Sequence, residues 1–325
     1  MARIALVTGI AGQDGYYLST LLRSKGYEVH GIELPGKPVS PGLCLRLYSA
    51  DVGAESDLDG ILDEVRPDEL YNLAGMSRVS ASFDDPVAFA QANGVGTVRM
   101  LEAIRRHRER IGRQIRFYQA SSSEMFGSSG ALPQTEASPF HPRSPYACSK
   151  VFAHLQTINY REAFGLFACC GILFNHESPR RPEHFVTRKI TSAAARIKLG
   201  RDEPLCLGNI DVRRDWGFAG DYVEAMWLML QQDRPDDYVI ATGQTHSVRE
   251  FGEAVFSHLG LDWAQHVVSD PILYRPAEIE NVCGDASKAS RVLGWQPRVT
   301  FGELVRMMAD HDLERLRQGQ KQQQQ

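Results

Sequence analysis

Lysine is scarce in this sequence. Only seven of its 36 cationic residues are Lys, the other 29 are Arg, and they do not gather into a basic block. With a net charge of −4, that pattern excludes the electrostatic footprint of a nucleic-acid binder. No apolar run reaches the roughly 20 residues needed to cross a bilayer. The opening MARIALVTG is too short and wrongly flanked for a signal peptide. A cytoplasmic protein with no membrane partner is expected. Paired cysteine motifs are missing too. Cys44, Cys148, Cys169, Cys170, Cys206 and Cys283 include no CxxC and no His/Cys cluster at metal spacing. Reduced thiols and no metal site are the expectation. No internal repeat is present, and the polar, low-complexity tail 318–325 is expected to be disordered.

What remains is ordinary globular material. The 325 residues are 43% hydrophobic and 23% charged, enough for one large or two modest domains. Short apolar runs at 3–8, 27–33, 45–49, 68–74, 115–120 and 166–174 alternate with helical patterns at 17–22, 86–108 and 144–164. Such alternation predicts an α/β fold: a Rossmann-type doubly wound parallel sheet covered on both faces. On the helix 86–108, Val95, Val98, Leu101 and Ile104 are expected on the apolar side. The character changes after Phe174. Residues 175–181, NHESPRR, read as an irregular polar and cationic loop. Helices are expected at 184–199, 221–230, 248–259, 285–293 and 301–316, with a strand at 237–242. The expected organisation is a dinucleotide-binding domain over 1–174, rejoined by about 210–242. A smaller C-terminal α/β substrate-binding domain would take 175–209 and 243–325.

The first strand runs into Gly9-Ile-Ala-Gly12-Gln13-Asp14-Gly15 and then a helix. In a dinucleotide site, Gly9 allows the tight turn and Gly12 lets backbone reach a pyrophosphate at the helix N-terminus. The spacing is GxxGxxG rather than GxGxxG, and a plain structural turn is the alternative. Glu33 ends the second strand about 20 residues on, where an acid accepts from the ribose hydroxyls of NAD and repels a 2′-phosphate. An exposed loop acid is the alternative there. Asp51 ends the third strand. The small Ala74-Gly75 ends the fourth and leaves room for a cofactor.

The fifth strand leads into Ser121-Ser122-Ser123-Glu124, and strand ends of such sheets carry catalytic groups. A serine run is also a common solvated turn. In Ser144-Pro145-Tyr146-Ala147-Cys148-Ser149-Lys150, Ser144 fits a helix cap and Pro145 the first turn. Residues four apart share a helix face, so Lys150 falls beside Tyr146. A neighbouring ammonium is expected to lower the tyrosine pKa and make it a usable base. Coincidence also produces this spacing. It carries weight only with a cofactor site and a second acid nearby.

These residues resemble the extended short-chain dehydrogenases/reductases, and within them the GDP-mannose 4,6-dehydratase branch. The carriers include TGIAGQDGYYL (8–18), SSEMFG (122–127), PFHPRSPYACSK (139–150), LFNHESPRR (173–181), LGNIDVRRDWG (207–217), DYVEAMWLMLQ (221–231) and YRPAEIE (274–280). The resemblance implies a hydro-lyase with bound, recycled NAD(P). Tyr146, with Lys150, would take the C4 hydroxyl proton of a sugar nucleotide while hydride leaves C4. Glu124 would take the C5 proton, assisted by Ser122, as water leaves from C6. Hydride would then return to C6. The product would be GDP-4-keto-6-deoxymannose. The resemblance also implies cofactor contacts at Gly9, Gly12, Gln13, Asp14, Asp51, Val52, Leu73, Ser77, His176 and Arg181, and Gly15, Glu33 and Ala74 join them. Asn175, Lys189, Arg214, Arg275 and Glu278 would meet the nucleotide sugar. A homodimer or homotetramer is implied as well.

The sequence departs from the branch in three places. Leu34-Pro-Gly-Lys37 replaces the arginines and serines that follow the second strand, and Glu33 precedes it. That favours NAD over NADP and puts the tetramer in question. Met76 and Arg78 replace a glutamine and a histidine around Ser77, and Ala88 replaces a tyrosine. These changes border the sugar pocket and leave another NDP-sugar open. An epimerase of the same superfamily is the other alternative, and Glu124 argues against it.

Overall fold

The computed structural model describes residues 2–323 apart from 55, 128–129, 131, 202–203 and 275–276. Six strands come in turn from residues 4–173: β1 (Ile4–Thr8), β2 (Glu28–Glu33), β3 (Arg46–Ser49), β4 (Glu69–Asn72), β5 (Arg116–Ser122) and β6 (Ala168–Leu173). A seventh, Asp237–Ile240, adds beside β6. Across the sheet the order is Asp237–Ile240, β6, β5, β4, β1, β2, β3, and every pairing is parallel. The strand order reverses between β1 and β4, which opens a crevice beyond their carboxyl ends.

Alternation along each strand explains the layers. Ala5, Val7, Tyr71 and Tyr118 enter one core; Leu6, Leu70 and Phe117 enter the other. The first core is closed by α1 (Gln13–Ser24) together with the helix Ala219–Met229. α2 (Leu58–Val65), α3 (Pro86–Phe89), α4 (Gly96–Ile111) and α5 (Pro145–Phe164) succeed one another along the chain. Of these, α2, α4 and α5 contribute to the second core. With both faces covered, the strands read as near-continuous apolar runs.

A separate core lies between α6 (Val186–Lys198), the helix Val248–His258 and the final helix Phe301–Gln323, built from Ile190, Phe251, Phe256, Leu304 and Met308. The buried Arg188–Asp312 pair, 2.7 Å, pins α6 to the final helix.

Three expectations change. Residues 86–108 are not one regular helix, because a π-turn, Ala90–Val95, joins α3 to α4. The wider turn rotates the following residues. Val95 and Val98 are only half-buried, while Asn93 and Thr97 face inward. Residues 175–181 are not wholly irregular, since β7 (Asn175–Glu177) pairs in parallel with Trp216–Phe218. The tail expected to be disordered from residue 318 continues the final helix through Gln323. Glutamine and arginine are good helix formers, so polarity alone does not end a helix already anchored by its core face. No helix among the described residues is long and apolar enough to cross a membrane.

Candidate active site

The glycine turn is built for close approach. Gly9 has φ +66°, and a Cβ there would lie 2.9 Å from the backbone of Ala74. Only glycine fits that position without strain. Gly12 is the N-cap of α1 and offers no side-chain cap to the first-turn N–H groups. Thr8 joins this turn to β4: its hydroxyl donates to Asn72 Oδ1 at 2.8 Å and accepts from the N–H groups of Leu73 and Ala74. An open helix N-terminus beside a glycine cradle fits a dinucleotide pyrophosphate.

Two acids flank the turn. Asp14, in the first turn of α1, pairs with His176 Nε2 at 2.9 Å, and Gln13 donates to the His176 carbonyl at 3.0 Å. Burial raises the Asp14 pKa, but His176 and Gln13 outweigh it and leave it at about 2. Burial lowers the His176 pKa, but Asp14 more than reverses that and it ends raised. Glu33 is buried at the end of β2, and its carboxylate accepts from the Ala11 N–H at 2.9 Å and pairs with Lys37 at 3.3 Å.

The catalytic candidates converge from β5 and α5. Ser144 caps α5 as the sequence predicts, its hydroxyl accepting from the Ala147 N–H at 3.1 Å, and Pro145 opens the helix. Tyr146 and Lys150 both lie on the buried face of α5. The Lys150 ammonium donates to the Ala120 carbonyl at 2.9 Å. At the end of β5, the Ser122 hydroxyl accepts from the Glu124 N–H at 3.3 Å, capping the 3₁₀ turn Ser123–Met125.

One electrostatic expectation is corrected. The Tyr146 pKa is raised, not lowered. Burial pushes the phenol up to about 12; hydrogen bonding to Ser122 opposes this and the charge of Glu124 adds to it. The lysine itself is driven down to about 8 by burial. Desolvation outweighs the pairing because the ammonium is directed at a carbonyl and lies 5.9 Å from the tyrosine ring centroid.

A cavity of about 620 Å³ joins these groups. Every predicted site residue within the described part of the chain lines it; Arg275 lies outside the described residues. Elsewhere in its lining, Arg214 donates to the Ile279 carbonyl at 2.8 Å and pairs with Glu278 at 3.1 Å. Lys189 donates to the Cys206 carbonyl at 2.6 Å. Asn175 projects from β7, and Arg181 pairs with Glu177 at 3.1 Å while stacking on Phe185.

Sequence reasoning missed Asn93. From the π-turn its carboxamide accepts from the Met76 N–H at 2.9 Å and donates to the Met76 carbonyl and to Ser149 Oγ. It thereby ties the loop after β4 to α5. A polar Asn-Gly pair inside an otherwise apolar helical pattern was the available signal.

The family model described as GDP-mannose 4,6 dehydratase matches residues 6–308. The chain belongs to this family. It is 55% identical to "GDP-mannose 4,6 dehydratase 1" of Arabidopsis thaliana over 96% of this chain and 90% of that protein. It is 46% identical to "GDP-mannose 4,6 dehydratase" of Homo sapiens, over 97% and 92%. Among solved structures, it resembles Thermus thermophilus UDP-glucose 4-epimerase complexed with NAD. That match has a TM-score of 0.83 and 28% identity, and covers 95% of this chain and 98% of that one. RMD from Pseudomonas aeruginosa, complexed with NADPH, matches with a TM-score of 0.81 and 27% identity, over 97% and 99%.

Proposed function

We propose that this family member converts GDP-mannose to GDP-4-keto-6-deoxymannose. The observation that carries the reading is Glu124, held beside Ser122 and Tyr146 on one cavity wall. An epimerase sharing Tyr146 and Lys150 has no use for a second base at C5; a 4,6-dehydratase does. The C4 hydroxyl proton is assigned to Tyr146. Because burial raises its phenol to about 12 in the cofactor-free protein, that role depends on the positive charge a bound oxidised nicotinamide would bring, together with Lys150 along the same helix face. Once C4 is a ketone the C5 proton is acidic. Glu124 removes it, Ser122 hydrogen-bonds at the reacting end, and water departs from C6. A nicotinamide dinucleotide bound against the glycine turn supplies the acceptor for the C4 hydrogen and the donor to C6.

Residues 1–174, with the returning segment, form the cofactor half in this reading; 175–209 and 243–325 form the substrate half. Asn175, Lys189, Arg214, Arg275 and Glu278 are assigned to the sugar nucleotide, with the arginines suited to its diphosphate. The cofactor is assigned as NAD, because a buried carboxylate at the end of the second strand, Glu33, disfavours a 2′-phosphate. Self-association is assigned to α5, where Phe152 and Leu155 are 46% and 51% exposed.

Incubation with GDP-mannose and detection of the 4-keto product tests the activity. Product from a different NDP-sugar, with none from GDP-mannose, would move the substrate. An epimerised sugar with no loss of water would overturn the dehydratase reading. Mass spectrometry of the co-purifying nucleotide decides NAD against NADP, and light scattering gives the oligomer.

A further inference from the structure

His154 does not line the cavity, yet it belongs to the same row as the catalytic candidates. Tyr146, Lys150 and His154 are spaced by four along α5 and share its buried face. Each meets a neighbouring residue of β5. Tyr146 engages Ser122, Lys150 donates to the Ala120 carbonyl at 2.9 Å, and His154 Nδ1 lies 2.9 Å from Ser121 Oγ. The Ser121–His154 bond is buried, with both residues under 5% exposed. Phe140 packs edge-on against the imidazole, 5.1 Å between ring centroids, and fixes its plane.

We propose that His154 is a positioning residue for the elimination step, acting through Ser121 on the strand end that carries Ser122 and Glu124. Ser121 and Ser122 are adjacent at the end of β5, so anchoring Ser121 to α5 fixes the backbone from which Ser122 meets Tyr146. Ser122 Oγ in turn accepts from the Glu124 N–H at 3.3 Å, so the chain of contacts from His154 ends at the residue assigned to the C5 proton. Lys150 and Tyr146 are carried by α5 itself, whereas Ser122 and Glu124 are carried by the strand end that Ser121 anchors. Loss of the histidine thus disturbs the two halves of the reaction unequally. Burial favours the neutral ring, which suits a hydrogen bond to a hydroxyl.

The inference rests on the dehydratase reading above, and its test separates the two. His154→Leu removes the ring nitrogen and keeps an apolar filler. His154→Asn keeps a polar atom near the Nδ1 position. His154→Leu should lower kcat at least about tenfold with KM within about threefold, because small misplacements of reacting groups cost rate more than binding. Deuterium at C5 should slow the leucine variant more than it slows the parent, and deuterium at C4 less. His154→Asn should recover to within about threefold of the parent. Amide hydrogen exchange over 121–126, which needs no substrate, should quicken in the leucine variant and return in the asparagine variant. Ser121→Ala should reproduce the leucine result and carries the test if His154→Leu fails to fold. Parental kcat in both His154→Leu and Ser121→Ala, equal changes in the two isotope effects, or unchanged exchange would each overturn the proposal. A parent protein that removes no water from any nucleotide sugar would reject the dehydratase reading, while the exchange comparison would still decide whether His154 holds the strand end.

Discussion

Lys150 lies one helical turn from Tyr146, but its ammonium is bonded to the Ala120 carbonyl rather than to the phenol. It is a buried cation whose pKa falls from 10.5 to about 8, so the folded state disfavours its charge. That shift corresponds to about 3 kcal/mol. Lys150→Met should therefore abolish turnover and yet stabilise the cofactor-free protein at neutral pH by about 1–3 kcal/mol, the lower figure allowing for the lost bond to Ala120. Because the folded pKa is the lower one, the parent regains stability as pH rises from about 8 to 10.5, and the gap should close over that window. Denaturant titrations at several pH values check both statements.

Glu124→Gln keeps the size and the backbone bond to Ser122 but removes the base. It should retain cofactor and nucleotide sugar at near-parental affinity and lose 4-keto product by about 10²–10⁴-fold. Full turnover in this variant would assign the C5 proton to another group. Binding by calorimetry beside a product assay gives both numbers.

The Asp14–His176 pair links the glycine turn to β7. The Asp14 carboxyl is depressed from 3.8 to about 2, so its contribution is present above about pH 4 and lost as pH falls through 2. His176 is shifted the other way, so its contribution is complete below 6.5 and fades as pH rises through its higher folded value. The pair should contribute most between about pH 4 and 6.5. Although the site is deep, the Asp14 side chain keeps 23% exposure, which argues for about 1–2 kcal/mol after solvent screening. A double-mutant cycle with Asp14→Asn and His176→Gln, followed by thermal melts across that range, measures it.

If Glu33 faces the ribose as proposed, Glu33→Ser should raise NADP affinity relative to NAD by about tenfold or more, since it removes a buried negative charge. It also removes the acceptor for the Ala11 N–H, so NAD affinity should fall somewhat in the same variant. Equal NADP affinity in parent and variant would show that Glu33 serves the turn alone. Fluorescence titration of both nucleotides distinguishes the cases.

Much of this architecture was readable in one dimension. Buried strands such as β6 are short apolar runs, and Ser144-Pro145 announces α5 directly. The ribbons were not readable. β7 pairs with Trp216–Phe218 some 40 residues away, and three-residue strands leave little local pattern. The tertiary partners of Thr8, Asn93 and His154 were equally hidden. Each is a polar residue within a segment whose pattern only says that it is buried. The tyrosine's raised pKa belongs here as well: spacing placed a cation near it, but burial outweighed the pairing.

The placement of Asp237–Ile240 beside β6 has a consequence for synthesis of the chain. β6 is fully buried and carries Cys169 and Cys170, yet one of its two edges is covered only by residues that emerge some 65 positions later. Until then the ribosome-bound chain presents a flat apolar edge, open to pairing with another molecule. Arrival of the last strand ends that exposure, and Asp237 fastens it through two bonds to Arg161, 2.9 and 2.7 Å, and one from the Cys170 N–H at 3.0 Å. Any truncation upstream of residue 237 should therefore yield aggregate rather than an isolated cofactor-binding half.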